Sequence, residues 1–321
     1  MQRTPRTSSA VASADASAHR VLVLGEALID VVLDPSGGTR EHVGGSPLNV
    51  ALGVSRLGHA VDFATAIGDD ERGDRVCDLL DTGGVTLVEG SRTREPTSTA
   101  IARIDAARAA TYEFELHLGV PGRTVTSGTV HAHTGSIGAV LEPGASGIRA
   151  TLATVRQHGT TSYDPNIRPS IMGGAQQVRP LVEDLVALAD LVKASSDDLD
   201  FLYPGESAQG VMARWCASGA GLAVVTLGAD GVTYRTRRED RSLTLPPGDS
   251  QVVDTVGAGD SFMAGLISGL LDLGLLGEPG ARTRLRESTL EQVRPAIERG
   301  LATSAVTVGR AGAYAPTRDE L

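Results

Sequence analysis

The segment Asp254-Thr255-Val256-Gly257-Ala258-Gly259-Asp260-Ser261-Phe262 decides how this chain folds. It follows Gln251-Val252-Val253, which predicts a short β-strand, and it precedes the apolar run 263–271, which predicts a helix. The small residues Gly257-Ala258-Gly259 are therefore expected where the helix begins. A helix start carries unpaired N–H groups and the positive end of the helix dipole. Because these side chains are so small, an anion can approach the backbone closely.

An acidic side chain stands next to this predicted anion site. Asp260 falls in the first turn of the predicted helix, where a carboxylate can accept the proton of a hydroxyl that attacks phosphorus. A base, an anion hole and a helix start within a few residues are what phosphoryl transfer requires. A plain strand-to-helix turn with an N-cap aspartate is the alternative, because glycine and aspartate favour such turns anyway. Agreement with other segments must decide between the two.

The composition narrows the class of protein. The 321 residues suffice for one large α/β domain or two smaller ones, and the hydrophobic share of 41% can form a sizeable core. The net charge of -10 argues against a nucleic-acid partner and against an acidic membrane surface. No apolar run approaches the length of a membrane span.

The cysteines and the first residues indicate a compartment. Cys77 and Cys216 form neither a disulfide framework nor a zinc-binding pattern, which fits the reducing cytoplasm. Residues 1–19 are rich in Ser, Ala, Thr and Arg and lack an apolar stretch, so they do not resemble a secretory signal. A disordered leader is the favoured interpretation, and an organellar transit peptide is the alternative.

Lys193 is the only lysine of the chain, whose other basic residues except histidine are all arginine. This excludes a P-loop, which needs Gly-Lys-Ser/Thr, so a nucleotide must use another phosphate cradle. Lys193 opens the segment Lys193-Ala194-Ser195-Ser196-Asp197-Asp198 after a predicted strand, where its charge can reach a phosphate. A helix start with Ser195 as N-cap and Asp198 in the first turn is the alternative. Asp198 is also a candidate for holding Mg2+ through water.

The remaining chain alternates between predicted strands and helices, beginning with a buried first strand over 21–30. The alternating segments 97–105 and 110–116 predict an antiparallel hairpin, and so a small sheet apart from the main one. This order predicts a central, mostly parallel sheet flanked by helices, with ligands beyond the carboxyl ends of its strands. The other predicted strands are 61–67, 130–134, 160–163, 191–193, 223–226 and 231–235, and the predicted helices are 48–58, 74–82, 147–158, 178–189, 197–203 and 290–302.

Two further motifs follow predicted strands. The first is Asp164-Pro165-Asn166-Ile167-Arg168, in which Arg168 offers a fork of donors for a carboxylate, a phosphate or a pair of hydroxyls. Asp164 and Asn166 supply polar groups beside it, and a surface turn is the alternative. The second is Thr226-Leu227-Gly228-Ala229-Asp230-Gly231, which is either a nucleotide-edge loop or a plain glycine hairpin.

Taken in order, these motifs resemble those of the ribokinase-like carbohydrate kinases, also called the PfkB family. The similarity runs from about Val21 to Pro316 and rests on Gly44-Gly45-Ser46-Pro47-Leu48-Asn49-Val50-Ala51 and on 254–262. The fold that it implies is a Rossmann-like α/β domain with a small β-sheet lid. The implied domains are discontinuous: the α/β domain at 20–30, 44–91 and 119–321, and the lid at 31–43 and 92–118.

The resemblance also implies roles for individual residues. Asp260 is similar to the family's general base for a sugar hydroxyl, and Gly257, Ala258 and Gly259 are similar to its anion hole. Asp198 is similar to a glutamate that arranges magnesium, and Asp254 to a monovalent-cation ligand. The implied sugar contacts are Asp30, Gly44, Gly45, Asn49, Asp164, Asn166, Arg168 and Asp260, with Tyr112 or Phe114 closing over the sugar. The implied ATP contacts are Lys193, Ser195, Thr226, Gly228, Gly231, Ala258, Gly259, Ala302 and Thr303.

The implied activity is ATP-dependent phosphorylation of a primary hydroxyl of a small sugar, with Mg2+ and K+ as ions and a homodimer formed through the lid. The motif at 164–168 is similar to those of fructokinases and 2-keto-3-deoxygluconate kinases. The lid segments 97–102 and 110–114 look more like bacterial fructokinases, so fructose is the first expectation and the keto acid the alternative. Outside enzymes, a catalytically silent sugar or nucleotide sensor on the same scaffold is the alternative.

Overall fold

The computed structural model describes residues 19–34, 38–104, 110–122, 124–126, 128–248 and 250–321. Its strands are β1 (Arg20–Leu24), β2 (Leu28–Leu33), β3 (Thr39–Gly44), β4 (Ala60–Ala64), β5 (Ile67–Gly68), β6 (Val85–Leu87), β7 (Arg92–Thr93), β8 (Thr99–Ile104), β9 (Ala110–Glu115), β10 (Thr129–Gly135), β11 (Thr160–Asp164), β12 (Leu191–Ser195), β13 (Leu222–Thr226), β14 (Val232–Thr236) and β15 (Leu243–Leu245). Its helices are α1 (Ser46–Arg56), α2 (Glu71–Thr82), α3 (Ser136–Val140), α4 (Gly144–Val155), α5 (Pro169–Met172), α6 (Ala175–Leu188), α7 (Ser196–Leu202), α8 (Ala208–Ser218), α9 (Ala258–Asp272), α10 (Ala281–Glu287) and α11 (Leu290–Val308). Short 3-10 turns cover Gly228–Asp230 and Arg318–Glu320.

The predicted α/β architecture is confirmed. A nine-stranded sheet has the order β15-β14-β13-β12-β11-β10-β1-β4-β6, and its neighbouring strands are parallel except for the two pairs that involve β14. One apolar core lies between this sheet and α1, α2, α9, α10 and α11, and a second lies between its other face and α3 to α8. The carboxyl ends of the parallel strands therefore share one edge, where the sequence motifs were expected. Among the described residues, no helix is both long and apolar enough to span a bilayer.

A second sheet stands apart from the first, with the order β3-β2-β8-β9. Strands β8 and β9 are antiparallel, which confirms the predicted hairpin. The prediction of a single strand over 21–30 is wrong, because β1 joins the large sheet and β2 joins this one. The chain turns between them at Gly25, whose φ of +147° and close approach to Pro47 leave no room for a side chain: a Cβ there would lie 2.4 Å from Pro47 Cγ.

Other differences from the predictions lie around the C-terminal helices. The predicted strand at 251–253 is wrong: the Val253 amide donates to the Val308 carbonyl at 2.7 Å, so this segment is fixed to the end of α11 and not to a sheet. Helix α11 continues past Ala302 to Val308 with Pro295 inside it. Helices α8 and α10 are not predicted from the sequence, and the predicted leader lies outside the described residues except for His19.

Candidate active site

The first turn of α9 forms an open cluster of backbone donors. Gly257 caps the helix with a φ of +75°, and a Cβ there would lie 2.6 Å from the Cβ of Ala313, so only glycine fits. Among the described residues, the amides of Gly257, Gly259 and Asp260 have no hydrogen-bond acceptor, whereas the amide of Ala258 donates to the carbonyl of Thr255 at 3.2 Å. These free amides lie where the sequence predicts an anion hole, and the Ala258 amide is not one of them.

Asp260 is buried beside these amides, with only 8% of its surface exposed. Its two carboxylate oxygens accept hydrogen bonds from α1: Oδ1 from Ser46 Oγ at 2.7 Å, and Oδ2 from Asn49 Nδ2 at 2.8 Å. Burial raises the pKa of Asp260, and the bonds from Asn49 and Ser46 and the charges of Lys193 and Arg168 oppose that rise. The carboxylate is thus held between donors in a largely dry site, as a general base requires.

Lys193 and Asp164 form a buried ion pair at the same edge of the sheet. Lys193 Nζ donates to Asp164 Oδ2 at 2.8 Å, and the two side chains are 4% and 1% exposed. A Cβ on Gly259 would lie 3.1 Å from Lys193 Nζ, so the ammonium reaches the first turn of α9. Burial raises the pKa of Asp164 to about 6, against the charge of Lys193. Burial alone would lower the pKa of Lys193, but the charges of Asp164, Asp198 and Asp260 raise it.

Asp198 and Ser195 form the capping box that the sequence left as the alternative. Asp198 Oδ2 accepts from the Ser195 amide at 2.8 Å and from Ser195 Oγ at 2.7 Å. Asp198 Oδ1 accepts from the Ile167 amide at 2.7 Å, and so fixes the loop that carries Asn166 and Arg168. The structure therefore directs Ser195 Oγ towards the helix start and not towards a phosphate.

Arg168 is exposed, unlike the buried Asp164 and Lys193. Its Nη1 donates to Asn166 Oδ1 at 2.7 Å, which holds the guanidinium over Asn166, a residue with an unusual φ of +40°. The removal of water by surrounding protein raises the pKa of Asp30, while the charges of His42 and Arg168 oppose that rise. The charge of Arg168 therefore acts on the carboxyl groups of both Asp30 and Asp260.

The small sheet presents the remaining predicted sugar contacts. A Cβ on Gly44 would lie 2.3 Å from Asp30 Oδ2, so the absence of a side chain leaves room for that carboxylate. Gly45, with a φ of +120°, packs against the Glu26 carbonyl.

One face of the small sheet carries Asp30, Ala100 and Phe114, which are cross-strand neighbours. The Tyr112 ring stacks on the Phe114 ring, with 6.2 Å between the ring centroids. Tyr112 is 61% exposed on the face that carries Asp30.

The other residues predicted to contact ATP lie in two places, at the end of β13 with the turn that follows it, and on α11. A Cβ on Gly231 would lie 2.1 Å from the Leu245 carbonyl, and Gly228 has open space around it, whereas Thr226 Oγ1 reaches the Ala194 carbonyl at 3.4 Å. Thr303 is 1% exposed, and its hydroxyl donates to the Ser261 carbonyl at 2.8 Å, because this side of α11 packs on α9. Ala302, one position earlier on α11, is half-buried.

A cavity of about 360 Å³ adjoins the opposite side of α11. The chain from Leu245 to Gly248 connects the Gly231 turn to this helix, since a Cβ on Gly248 would lie 3.0 Å from the Cβ of Ala305. Sequence reasoning misses this cavity, although the small residues Ala302 and Ala305 on one side of a helix were a usable signal. The lining residues are Ser250, Gln251, Val253, Ala305, Val306, Gly309 and Arg310.

The ion sites implied by the resemblance are not formed as closed cages. Asp254 accepts hydrogen bonds from the amides of Val256 at 3.1 Å and Gly312 at 2.9 Å, and so ties the loop before α9 to the C-terminal segment. The described part of the chain contains no group of three or more His, Cys, Asp or Glu side chains that would hold a metal ion. Asp164 Oδ1 is a buried oxygen without a partner among the described residues.

The Asp260 carboxylate, the free amides at the start of α9 and the Lys193 ammonium lie together at the carboxyl edge of the parallel strands. This is the arrangement of a phosphotransferase that acts on an alcohol group. The chain belongs to the pfkB family of carbohydrate kinases, whose family model matches residues 18–320. This membership confirms the predicted family and the predicted class of enzyme.

Three similar proteins illustrate the relationship. A fructokinase from Rhizobium leguminosarum bv. trifolii is 32% identical over 262 residues, which are 78% of this chain and 79% of that protein. A Xylella fastidiosa fructokinase, whose structure contains bound ATP, is 26% identical in sequence to this chain. The two structures align with a TM-score of 0.82 over 94% of this chain and 96% of that one. A double mutant of a Vibrio cholerae O395 fructokinase, bound to fructose, ADP and a potassium ion, is 25% identical, with a TM-score of 0.78 over 95% and 98%.

Proposed function

We propose that this carbohydrate kinase transfers the γ-phosphoryl group of ATP to a primary hydroxyl of fructose or a closely similar sugar. The observation that carries the proposal is the Asp260 carboxylate, buried and fixed by two donors beside free amides and the Lys193 ammonium. Fructose as the sugar is supported by the fructokinases among its relatives and by the fructose bound in the Vibrio cholerae structure.

In the proposed reaction Asp260 accepts the proton of the sugar hydroxyl as its oxygen attacks the γ-phosphorus. The new O–P bond forms while the bond to the leaving ADP oxygen breaks, and the proton stays on Asp260. The free amides of Gly257 and Gly259 and the ammonium of Lys193 face the negative charge that spreads over the transferring group. Donors fixed in advance in a site of low dielectric stabilise such charge far better than water does.

We assign the nucleotide to the side of α11 that faces the cavity. A base lying against Val253, Ala305 and Val306 would direct its phosphates towards the start of α9, along the turn at Gly228 and Gly231. The ATP bound in the Xylella fastidiosa relative supports this choice of substrate. Thr303 has no part in this assignment, because its hydroxyl is already bonded to α9.

Asp164 takes a different role in this proposal from the sugar contact that the resemblance implies. Its side chain is 1% exposed and is bonded to Lys193, whereas a sugar enters from the side of Asp30 and Arg168. We therefore assign to Asp164 the orientation of the Lys193 ammonium at Gly259. Asn166 and Arg168 remain the proposed sugar contacts of this motif.

Two carboxylates are the proposed ligands of the ions that the reaction uses. Mg2+ usually keeps several waters and binds one or two carboxylates together with substrate phosphates. We propose that Asp198 would hold Mg2+ through water, and such an ion would supply positive charge to the phosphate oxygens of ATP. The potassium ion bound to the Vibrio cholerae relative supports the use of a monovalent cation, and we propose Asp254 as its ligand.

The small sheet is proposed as the lid of the site. Asp30 and the Tyr112–Phe114 pair lie on one face of it, so its movement towards Arg168 would enclose the sugar and exclude water. Exclusion of water prevents transfer of the phosphoryl group to water. The proposed domain boundaries, with the lid at 31–43 and 92–118, and the homodimer through the lid stay predictions.

The test is ADP release with ATP and a panel of fructose, 2-keto-3-deoxygluconate, ribose and adenosine. We expect the highest kcat/KM with fructose. Turnover of the keto acid alone would replace fructose while leaving the kinase assignment intact. Tight binding of sugar and ATP without ADP release from any pair would instead point to the silent sensor.

A further inference from the structure

Ser46 has a hydrogen-bond partner that its place in the sequence does not predict. A serine directly before a proline at a helix start is typical of an N-cap, whose oxygen accepts from the first-turn amides. In the structure Gly45 is the N-cap of α1, Ser46 is the first helical residue, and no side chain caps this helix. The Ser46 hydroxyl donates instead to Asp260 Oδ1 at 2.7 Å, across 214 positions of sequence.

Ser46 is one of only two direct donors to the Asp260 carboxylate among the described residues. Asn49, one turn later on the same helix, donates to the other oxygen. The charged groups that face Asp260 from other elements are Lys193 on β12, Asp164 on β11 and Arg168 after β11. Lys193 and Arg168 favour the ionised carboxylate, and Asp164 and burial oppose it. A charge-assisted hydrogen bond is short and about twice as strong as a neutral one. The bond from Ser46 therefore contributes to keeping the Asp260 carboxylate ionised.

We propose that Ser46 is a positioning residue for phosphoryl transfer: its hydroxyl keeps Asp260 ionised and in one orientation, so that the remaining lone pairs of the carboxylate face the sugar hydroxyl. This inference rests on the proposed function, because it acts through Asp260 as the base. Sequence motifs alone do not reveal it, since glycine, serine and proline at a helix start have a sufficient local explanation. Only the contact between α1 and α9 shows what the hydroxyl does.

The experiment compares the pH dependence of kcat/KM for the sugar in wild type, Ser46→Ala, Ser46→Thr and Ser55→Ala. Ser55 lies at the other end of α1, and its hydroxyl donates to the Gly83 carbonyl at 2.8 Å, so it controls for the loss of any serine hydroxyl on this helix. We expect Ser46→Ala to move the acidic midpoint of the profile upwards by about one pH unit, because the ionised base has lost a charge-assisted bond. In the alkaline plateau its kcat/KM should return to within about threefold of wild type, because the base is ionised there in both proteins. The Ser46→Thr and Ser55→Ala profiles should follow that of wild type.

A merely structural role would lower kcat/KM of Ser46→Ala by the same factor at every pH and leave the midpoint in place, and this result would overturn the proposal. An unchanged Ser46→Ala profile would also overturn it. Thermal unfolding of each variant verifies that the folded protein is being measured. Asp260→Asn separates the two levels: if it keeps near-normal turnover, Asp260 is not the base and the proposed mechanism fails, whereas if it is inactive and the Ser46→Ala midpoint is unmoved, only the role of Ser46 fails.

Discussion

Lys193 Nζ lies 2.8 Å from Asp164 Oδ2, and the same ammonium approaches the first turn of α9 at Gly259. The chain uses arginine everywhere else, so the one lysine stands where a compact charge is needed. A guanidinium is a wide planar fork, whereas an ammonium is a point charge that fits between a buried carboxylate and a backbone turn. The pair therefore connects the ends of β11 and β12 to the proposed site of transfer.

This relationship predicts strong coupling between the two residues. Lys193→Met should lower kcat by about a hundredfold or more, because it removes a fixed charge facing the transition state. Asp164→Asn should lower kcat by about tenfold or more in the wild-type background, since the ammonium is no longer held in place. In the Lys193→Met background the same substitution should change kcat by less than about threefold, as for residues that act as a unit.

Steady-state kinetics of the two single variants and the double variant measure this coupling, with thermal unfolding as the control for folded protein. Additive effects would mean that Asp164 acts independently of Lys193. A raised KM for the sugar with kcat unchanged in Asp164→Asn would restore Asp164 as a sugar contact.

Gly257→Ala tests the backbone geometry of the anion hole. The substitution combines a φ of +75° with a Cβ placed 2.6 Å from that of Ala313, so we expect a loss of about 2–4 kcal/mol in the free energy of unfolding. Gly205→Ala is the matched control, because its φ is +81° but nothing lies within 4 Å of its added Cβ, and about 1 kcal/mol is expected. Urea unfolding measures both, and equal losses would contradict the close packing at Gly257.

The sequence predicted the parts of the site that depend on local pattern. The glycines at 257 and 259 and the acid at 260 are visible because they stand next to one another in the sequence, just before a predicted helix. The Asp164–Lys193 bond and the Ser46–Asp260 bond join separate elements, and a single sequence does not show which side chains meet across strands. The strand break at Gly25 was hidden for the same reason, because an unbroken apolar run fits one buried strand as well as two. The burial of Thr303 against α9 was hidden as well, because family motifs give a position on α11 but not the direction of its side chain.

Glu26 at the end of β1 predicts a pH dependence of stability. It is 5% exposed and accepts the Gly138 amide at 2.9 Å, and burial raises its pKa from 4.5 to about 7. Because the folded-state pKa is above the unfolded one, the folded protein keeps a proton that the unfolded chain loses. The stability that depends on this proton is full below about pH 4.5 and is lost as the pH rises to about 7, by up to about 3 kcal/mol.

Glu26→Gln should abolish this loss. The difference in unfolding free energy between variant and wild type should shift in favour of the variant by about 2–3 kcal/mol between pH 5 and pH 8. Urea unfolding across this range is the measurement, and Glu89→Gln on the surface is the control, for which we expect a constant difference. A constant difference for Glu26→Gln as well would show that Glu26 does not titrate in this range.

The central claim is that the buried Asp260 carboxylate takes the proton of the sugar hydroxyl. The most direct test is the turnover of Asp260→Asn with ATP and fructose at saturating concentrations, because asparagine keeps the shape of the side chain and removes its basicity. We expect kcat to fall by about a thousandfold, with an unchanged circular dichroism spectrum and unchanged fructose binding. A kcat within tenfold of wild type would contradict the account, since no other residue in it is assigned to accept the proton.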